Sequence, residues 1–462
     1  MLRRGTSAFQ GGIHPTDGYD KSLSMEQAVK PYHPKTVTIL SEQSSGGKCE
    51  LLVQPGDSVN KGQLIGKPAA FNAAPLHASV SGTVLEIKDI SAQGREIPAC
   101  IIERRITAPS DKSETVGYRT QAADIRSITP EKILNGLRNG GLVGMGGAGF
   151  PTHRKYETDK IIDTLLINGA ECEPFLTCDY RLMLEDGFAL LNGVRLLLKV
   201  SGAGQAYICL EDNKPKAAEH LTNILKTAKD SGMIKETENI TIKVLPTRYP
   251  QGGERQLIQA VLSREVPVGG LPADVGVIVS NVGTTKAAAD MVLGGLPLTE
   301  RIVTVTGWIK QPGNYLVPIG TSAKELLGLC GGVTTQKNRI IAGGPMTGSC
   351  IASDWNGREE LFYVTKTTSG ILVLPDSEYR EQPCIRCQGC ANICPAGLTP
   401  YQIEIALLNE DYDLCEKLYA SECIACGGCS YICPAKRELT MRTRMAKEIV
   451  KQRMYERTVK NS

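Results

Sequence analysis

The 462-residue sequence has no long hydrophobic run and little net charge. No stretch approaches about 18 consecutive apolar residues, so we expect no membrane-spanning helix. The 52 basic and 49 acidic residues leave a net charge of +3, which gives the chain no broad positive field, and we expect no nucleic-acid partner. The first residues, MLRRGTSAFQGGIHP, have no apolar stretch behind their arginines, so we expect no export signal.

The composition also lacks the signs of disorder and of fibrous repeats. Glycine and proline, with 48 and 25 residues, make up about 16% of the chain, which is below the level of a low-complexity protein. With 41% hydrophobic and 22% charged residues the chain can bury several cores, and its length favours about three domains. We therefore expect a globular protein of several domains, and the strands and helices that alternate over residues 161–295 predict the α/β class.

Cysteine, in contrast, is abundant, with 16 residues, nine of which lie between Cys384 and Cys433. Since no export signal is expected, we interpret these thiols as reduced and available for metal binding, not as a disulfide framework. Two segments, CIRCQGCANICP at 384–395 and CIACGGCSYICP at 423–434, repeat the spacing C-x2-C-x2-C-x3-C-P. This spacing is typical of two-cluster ferredoxins, in which the fourth cysteine of each run binds the other cluster.

We therefore assign four cysteines to each of two 4Fe-4S clusters, with the fourth ligand exchanged between the repeats. The first set is Cys384, Cys387, Cys390 and Cys433, and the second is Cys423, Cys426, Cys429 and Cys394. We expect the short loops to wrap three thiolates around each cluster and the fourth cysteine to start a helix. A pair of tetrahedral zinc sites is the alternative that the spacing leaves open.

The rest of this segment predicts an α-helical module that transfers electrons. Apolar positions three and four apart predict one helix over residues 400–409 and another that reaches residue 420. Because a cubane cluster changes by one electron and nothing here resembles a substrate pocket, the segment indicates electron transfer. Six other cysteines are interpreted as buried small hydrophobic residues, namely Cys49, Cys100, Cys209, Cys330, Cys350 and Cys415.

The end of the chain is basic, since residues 436–462 carry nine Lys or Arg against three Asp or Glu. One interpretation is a solvated helix face. The other is docking on an acidic partner or on an anionic membrane surface. The basic residues concerned are Arg442, Arg444, Lys447, Lys451, Arg453 and Arg457.

A glycine-rich loop follows a predicted helix that starts after Thr129 and runs to about Asn139. Residues 144–149 contain G-x-G-x-x-G, a weak signal alone, and Pro151 departs from the usual strand-loop-helix context. Glycines at 144, 146, 147 and 149 let the backbone approach a planar ring or a phosphate, and Lys155 can neutralise phosphate charge. A merely tight connection is the alternative.

A predicted strand over residues 161–167 leads directly into Asn168 and, three and five residues later, Glu171 and Glu173. Carboxyl ends of strands face the ligand crevice in α/β folds. Two carboxylates beside Asn168 suit ribose hydroxyls and the edges of a flavin ring. A solvated loop is the alternative for both.

Here the sequence resembles a known family. GLVGMGGAGFPTHRK at 141–155 and LLINGAECEPFLTCDYRLM at 165–183 resemble the C subunit of the Rnf complex, the membrane-bound ferredoxin:NAD oxidoreductase. They resemble, more distantly, the NADH-binding flavoprotein subunit of respiratory complex I, and the likeness covers nearly the whole chain. It implies FMN contacts at Gly144, Gly146, Lys155, Asn168 and Glu171, and NAD(H) contacts at Gly147, Ala148, Phe150 and Glu173, with Gly149 completing the loop.

Two later segments carry further matches. YPQGGE at 249–254 resembles the complex I segment near the flavin and implies cofactor contacts at Tyr249, Gly252 and Glu254. VSNVGT at 279–284 resembles its phosphate loop and implies Asn281 and Thr284. Met145, Ala170 and Gly253 depart from the complex I pattern, where Arg, Asp and an acid stand.

The resemblance also implies four domains in a fixed order. Residues 1–115 resemble a barrel-sandwich hybrid of the biotinyl and lipoyl type, without the attachment lysine between Pro68 and Ile87. Residues 116–298 are a Rossmann-like FMN- and NAD(H)-binding domain, 299–376 a β-grasp module of the SLBB type, and 377–462 the α-helical ferredoxin-like domain. In the second domain, strands are predicted at 205–211, 240–246 and 275–282, and helices at 181–200, 214–231, 253–264 and 284–294.

The function implied is that of a peripheral subunit on the cytoplasmic side of the cell membrane. It exchanges a hydride between NAD(H) and FMN, passes single electrons through two 4Fe-4S clusters, and is coupled to Na+ or H+ translocation by the membrane subunits. Its partners are those subunits and the iron-sulfur B subunit, and indirectly ferredoxin. Two alternatives remain: a soluble relative such as cobalamin reductase or the electron-transfer protein of proline reductase, and an electron-carrier scaffold that binds no nucleotide.

Overall fold

The computed structural model describes residues 8–15, 20–45, 47–92, 94–106, 119–235, 238–357, 360, 362–376 and 380–461. Within these ranges the strands form four sheets, and the C-terminal part is helical, which confirms the predicted α/β architecture of several domains. Among the described residues, the first helix is α1 (Ser22–Met25) and the first strand is β1 (Val29–Pro31). The predicted domain limits at 115/116 and 376/377 fall at or within stretches outside the described residues, and all the limits stay predictions.

The first domain is built from eight short strands: β2 (Thr36–Leu40), β3 (Glu42–Ser44), β4 (Gly47–Leu51), β5 (Ser58–Val59), β6 (Leu64–Pro68), β7 (Leu76–His77), β8 (Gly82–Ala92) and β9 (Arg95–Arg104). They make two four-stranded sheets, ordered β2-β9-β8-β5 and β3-β4-β6-β7. Apolar side chains from both sheets, including Val37, Ile65 and Ile102, form one buried core. This is the predicted barrel-sandwich arrangement.

The second domain alternates helices and strands: α2 (Pro130–Asn139), α3 (Thr152–Tyr156), β10 (Thr164–Asn168), α4 (Cys178–Glu185), α5 (Gly187–Ser201), β11 (Gln205–Glu211), α6 (Pro215–Asp230), β12 (Asn239–Leu245), α7 (Glu254–Leu262), β13 (Val277–Asn281) and α8 (Val282–Gly294). The sheet is parallel, in the order β12-β11-β10-β13. Its carboxyl edge brings Asn168 and Asn281 into register as neighbours.

Local signals explain most of this second domain, called the α/β domain below. The hydroxyl of Thr129 accepts a hydrogen bond from the backbone of Lys132 at 3.2 Å, which confirms the predicted cap of α2.

Two predictions for the α/β domain needed correction. The first strand starts at Thr164 because Ile161, 90% exposed, lies outside the sheet. The helix predicted at 181–200 is two helices, which meet at Asp186.

Helices α5 and α8 cross closely because Gly193 has no side chain. A Cβ atom at Gly193 would lie 2.0 Å from the carbonyl oxygen of Thr285. Gly193→Ala is therefore expected to lower the free energy of unfolding by about 3 kcal/mol and the melting temperature by about 6–12 °C, as measured by circular dichroism. Gly204→Ala, whose Cβ would meet no atom closer than 4.0 Å, is the matched control. Equal melting temperatures for the two variants would contradict the close crossing.

The third domain contains β14 (Glu300–Gly307), β15 (Gly313–Pro318), α9 (Ala323–Leu329), β16 (Asn338–Ala342), β17 (Ser349–Ser353) and β18 (Gly370–Pro375). Its sheet has the order β1-β15-β14-β18-β16-β17, so the early strand β1 is added to one edge. The hydroxyl of Ser322 caps α9 by accepting from the backbone of Glu325 at 3.3 Å. The predicted sequence of strand, strand and helix is confirmed, and this unit is called the β-grasp domain below.

The C-terminal part, residues 380–461, is a helical unit that we call the cysteine module. Its helices are α10 (Gly389–Asn392), α11 (Pro400–Leu408), α12 (Tyr412–Lys417), α13 (Gly428–Ile432) and α14 (Leu439–Asn461). Helices α11 and α12 confirm the two predicted helices. The prediction that the fourth cysteine starts a helix was wrong: Cys394 and Cys433 follow α10 and α13. A following proline disfavours helical backbone, and Cys433 is extended, with φ −70° and ψ 114°.

Helix α14 carries the basic residues of the chain end, and several of them are paired within the module. Arg442 and Arg437 both bind Glu404, which is 1% exposed, and Arg442 also binds Glu381. Further along, Arg453 pairs with Asp413 and Arg457 with Glu416. Arg442 is therefore paired with a buried carboxylate inside the module, whereas Arg444, Lys451 and Arg457 are exposed on the helix. Among the described residues, no helix combines the length and apolar character needed to cross a membrane.

Candidate functional site

The eight repeat cysteines line two hollows in the cysteine module. Cys394, Cys423, Cys426 and Cys429 line one, which we call the inner pocket. Cys384, Cys387, Cys390 and Cys433 line the other, which we call the outer pocket. These are the two sets predicted with an exchanged fourth cysteine, and the pockets are alike in size, with about 360 and 340 Å³ of space free of protein atoms.

The pockets supply hydrogen-bond donors to sulfur and suit a metal-bound thiolate. The backbone of Ala425 donates to the Cys423 Sγ at 3.3 Å, and that of Arg386 donates to the Cys384 Sγ at 3.4 Å. Burial raises the pKa of the Cys426 thiol to about 11 and that of Cys429 to about 12. Bare thiols there stay protonated at neutral pH, so a metal bound at these cysteines would have to displace their protons. The four cysteine sulfurs around each pocket are enough to bind such a metal centre.

The other cysteines fall into two groups. Five of the six predicted to be buried are buried, namely Cys49, Cys100, Cys209, Cys330 and Cys415. Cys350 is exposed, so that prediction was wrong. It lies on β17, the edge strand of its sheet, which pairs on one side with β16 alone and leaves its side chains open to solvent.

The predicted glycine loop, residues 144–149, lies against the start of α8. The backbone of Met145 donates to the Thr284 hydroxyl at 2.9 Å, and that hydroxyl donates to the Val143 carbonyl at 3.1 Å. A Cβ at Gly146 would lie 2.8 Å from Asn281, so this glycine is required by packing. A Cβ at Gly147 would meet no atom within 4 Å, and its φ is not left-handed. Gly147, exposed beside Ala148, thus leaves room for a group from outside the chain.

Polar side chains gather at the carboxyl edge of the sheet, around this loop. The amide of Asn168 donates to the Gly252 carbonyl at 2.8 Å. Asn281 caps α8 by accepting from the backbone of Gly283 at 2.8 Å. The Lys155 Nζ donates to Glu254 Oε1 at 2.9 Å and to the Val279 carbonyl at 3.1 Å. The structure therefore brings Lys155, Asn168, Gly252, Glu254, Asn281 and Thr284 to one edge, as the likeness implies.

Glu171 and Glu173 lie in the segment after β10, residues 170–176, which we call the carboxylate loop. The Glu171 carboxylate accepts from the backbone of Asp179 at 2.7 Å and of Tyr180 at 3.2 Å, at the start of α4. The Glu173 carboxylate accepts from Met346 and Thr347 of the β-grasp domain at 3.1 and 2.9 Å. Both carboxylates thus hold the loop in place. Their predicted contacts with a ribose or ring edge, and those of Phe150, stay predictions.

Two buried lysines support the carboxylate loop, and the sequence analysis missed both. The Lys21 Nζ donates to the carbonyls of Glu171 and Glu173 at 2.9 and 2.8 Å. The Lys214 Nζ donates to the Ala170 carbonyl at 2.6 Å and forms a fully buried ion pair with Glu211 at 3.1 Å. Burial lowers the pKa of Lys21. The three-residue spacing of Glu211 and Lys214 was a signal for one pair, whereas nothing around Lys21 marked it.

Tyr249 joins this edge to the inner pocket. Its hydroxyl donates to the Cys426 carbonyl at 2.6 Å, and its ring is 2% exposed. Its backbone pairs with that of Ile13 through two hydrogen bonds of 2.8 Å. The side chains of Tyr249, Ile13 and Cys172 pack in one cluster with Ile393 and Cys426. The α/β domain and the cysteine module are therefore in direct contact at this cysteine of the inner pocket.

Three family models match parts of the chain. The Nuo51 FMN-binding domain matches residues 137–290, the RnfC barrel sandwich hybrid domain 7–106, and the SLBB domain 302–349. Among solved structures, an NAD+-reducing NiFe hydrogenase in the H2-reduced state has a TM-score of 0.50 and 21% identity, over 70% of this chain and 63% of that chain. At this identity the likeness shows the fold alone.

Curated relatives match over most of their length. The C subunit of the proton-translocating ferredoxin:NAD(+) oxidoreductase complex of Clostridium ljungdahlii is 38% identical over 419 residues, which are 89% of this chain and 87% of the relative. The C subunit of the Na(+)-translocating complex of Acetobacterium woodii is 38% identical over 463 residues, 98% of this chain and 99% of the relative. The C subunit of the ion-translocating oxidoreductase complex of Rhodobacter capsulatus is 36% identical over 420 residues, 89% and 77% of the two chains. The chain therefore belongs to the family of C subunits of the Rnf ion-translocating ferredoxin:NAD(+) oxidoreductase complexes.

Proposed function

We propose that this chain is the subunit that exchanges electrons with NAD(H) in a membrane-bound, Rnf-type ferredoxin:NAD oxidoreductase. In this proposal it binds FMN and two 4Fe-4S clusters, and other subunits couple the electron flow to Na+ or H+ translocation. The observation that carries the proposal is the hydrogen bond of 2.6 Å from the Tyr249 hydroxyl to the Cys426 carbonyl. It joins a domain of the FMN-binding type directly to a four-cysteine pocket.

The α/β domain would hold FMN at the glycine loop and the carboxyl edge of its sheet. Gly147 leaves room for the ring or phosphate, and Lys155 and Asn168 supply charge and an amide beside it. Bound there, FMN supplies chemistry that accepts a hydride from NADH and releases electrons one at a time. The protein's part is to hold the loop, to exclude water, and to set the local charge through Lys155 and Glu254.

The cysteine module would hold one 4Fe-4S cluster in each pocket, as a ferredoxin-like domain. Two repeats with the spacing C-x2-C-x2-C-x3-C-P, which exchange their fourth cysteine, are typical of such clusters, whereas structural zinc sites are typically built from C-x2-4-C pairs, often with histidine. The inner pocket contacts the α/β domain through Tyr249. The outer pocket opens outwards, with Cys387 exposed and the neighbouring Ile385 69% exposed. Electrons therefore pass between NAD(H) and the inner pocket first, and the outer pocket faces the partner.

The partners proposed are the membrane subunits and the iron-sulfur B subunit of the complex, with ferredoxin reached indirectly. The place proposed is the cytoplasmic side of the cell membrane. The relatives named as C subunits of such complexes support this assignment, as does the barrel-sandwich domain that precedes the α/β domain. The order of domains also favours it over a soluble reductase. The match to an FMN-binding domain favours it over a scaffold without nucleotide.

The direct test is to purify the chain anaerobically, measure its flavin and iron, and add NADH. We expect about one FMN and about eight irons per chain, since two cubane clusters hold four irons each. We also expect the flavin band to bleach first and the cluster absorbance to follow. About eight irons with no flavin and no response to NADH would contradict the nucleotide half of the proposal and favour the carrier scaffold.

A further inference from the structure

The first described residues cross the seam between the α/β domain and the cysteine module. We call residues 8–15 the strap. The backbone of Gly12 donates to the Ile393 carbonyl at 2.8 Å, next to the inner-pocket ligand Cys394. One residue later, Ile13 exchanges two backbone hydrogen bonds with Tyr249. The strap thus forms hydrogen bonds to the cysteine module on one side of the seam and to the α/β domain on the other.

The strap packs closely against both the cysteine module and the α/β domain. Gly11 has a φ of +75°, and a Cβ there would lie 2.7 Å from the carbonyl oxygens of both Ile393 and Cys394. Phe9 is 3% exposed, and the Arg248 guanidinium lies over its ring at 5.1 Å. The strap is therefore packed into the seam and leaves no space for a side chain at Gly11.

The opposite side of the inner pocket is held in the same way. Gly427, between two inner-pocket cysteines, has a φ of +80°, and a Cβ there would lie 2.6 Å from the Met346 carbonyl of the β-grasp domain. Cys426 and Gly427 therefore lie between Tyr249 of the α/β domain and Met346 of the β-grasp domain. Within the described part of the chain, the outer pocket has no comparable hydrogen bond to the α/β domain.

We propose that the strap and the Tyr249 hydroxyl are positioning elements for electron transfer. They hold the inner pocket against the α/β domain, and the Tyr249 hydrogen bond to the Cys426 carbonyl adjusts the reduction potential of that pocket's cluster alone. This inference rests on the proposed function. In the step concerned, NADH would give up a hydride and become NAD+. The hydride supplies one proton and two electrons, and the 4Fe-4S cluster in each pocket would accept one electron.

The first experiment compares Gly11→Ala with Gly269→Ala in the full chain. Both glycines have similar left-handed backbone, with φ of +75° and +71°, but a Cβ at Gly269 would meet nothing within 4 Å. Stopped-flow absorbance separates the bleaching of flavin by NADH from the later reduction of the clusters. In Gly11→Ala we expect unchanged flavin bleaching and cluster reduction slowed at least tenfold, with full iron and FMN. In Gly269→Ala both rates should match the wild type.

The second experiment uses Tyr249→Phe, which keeps the ring and removes only the hydroxyl. Redox titration followed by electron paramagnetic resonance should show a lower potential for one cluster and an unchanged one for the other. The Tyr249 hydroxyl points its proton at the carbonyl of Cys426, and this positive end of a dipole beside the pocket favours the reduced, more negative state of a cluster bound there. Tyr207→Phe is the control, since its hydroxyl bonds to Gln205 at 3.1 Å within the sheet, away from both pockets.

The outcomes separate this inference from the proposed function. If the wild type binds FMN and reduces its clusters, but Gly11→Ala and Tyr249→Phe do so with unchanged rates and potentials, the positioning role is wrong and the function stands. If the wild type contains no FMN and does not respond to NADH, the nucleotide half of the proposed function is wrong. In that case the Tyr249→Phe potential, which needs only the clusters, still decides whether the hydroxyl adjusts the inner pocket.

Discussion

Cys394→Ser is expected to remove about four of the eight irons. The irons lost are those of the inner pocket, which Cys394 lines together with three cysteines of the second repeat. The physical reason is that a cubane cluster needs four thiolates, and the fourth ligand of the inner pocket comes from the first repeat. Iron analysis and electron paramagnetic resonance of the anaerobically purified variant measure the loss. Electron transfer from NADH to the outer pocket should fall below detection, since the inner pocket lies between them.

Double variants decide which cysteines share a pocket. Cys394→Ser with Cys426→Ser removes two ligands of one pocket, so the iron content should stay at about four. Cys394→Ser with Cys387→Ser removes one ligand from each pocket, and we expect no iron. If each repeat instead bound its own cluster, the two results would be reversed. Cys350→Ser, at an exposed cysteine outside both pockets, should retain all the iron.

Lys155→Ala is expected to weaken FMN binding by about 10- to 100-fold while both clusters remain. Hydrogen bonds to charged groups contribute about 1.5–3 kcal/mol, which corresponds to that range of affinity. The substitution also leaves Glu254 without its partner at 2.9 Å, so a negative charge replaces a neutral pair beside the site. Titration of flavin-free protein with FMN, followed by fluorescence quenching, gives the affinity.

A nearby lysine provides the matched control for this variant. Lys160 is five residues further along the chain and pairs with Asp274 at 3.3 Å, away from the glycine loop. Lys160→Ala removes a similar ion pair from the same region and should bind FMN as the wild type does. An FMN affinity for Lys155→Ala equal to that of Lys160→Ala would refute the assignment of Lys155 to the flavin site.

The parts of the site that depend on short spacing were predictable from the sequence. The cysteines of each repeat are two or three residues apart, so the covalent chain alone brings them together, and both pockets contain the predicted sets. The cap of α2 by Thr129 depends on a contact three residues away. The strands of the α/β domain were likewise predicted to within a few residues, because their apolar runs are local.

The parts that depend on distant contacts were not predictable. Lys21 reaches the carboxylate loop across about 150 residues of sequence, and no local pattern distinguishes it from a surface lysine. The backbone hydrogen bonds that the carboxylates of Glu171 and Glu173 accept had no signal in the sequence either, and the predicted ligand contacts of both residues stay predictions. The position of residues 8–15 in the seam likewise depends on Tyr249 and Ile393, far along the chain, and no local pattern predicts it.

The strap has a consequence for the order in which the molecule is completed during synthesis. Gly12 and Ile393, whose backbones form a hydrogen bond, are about 380 residues apart. Residues 8–15 are therefore synthesised long before the surface of the cysteine module that they bind. Closing so long a loop costs little more than closing a short one, since the entropy rises only with the logarithm of its length. Residues 8–15 therefore cannot make all of their contacts until Ile393 has been synthesised. Any truncation that removes the cysteine module also leaves residues 8–15 without half of their binding surface.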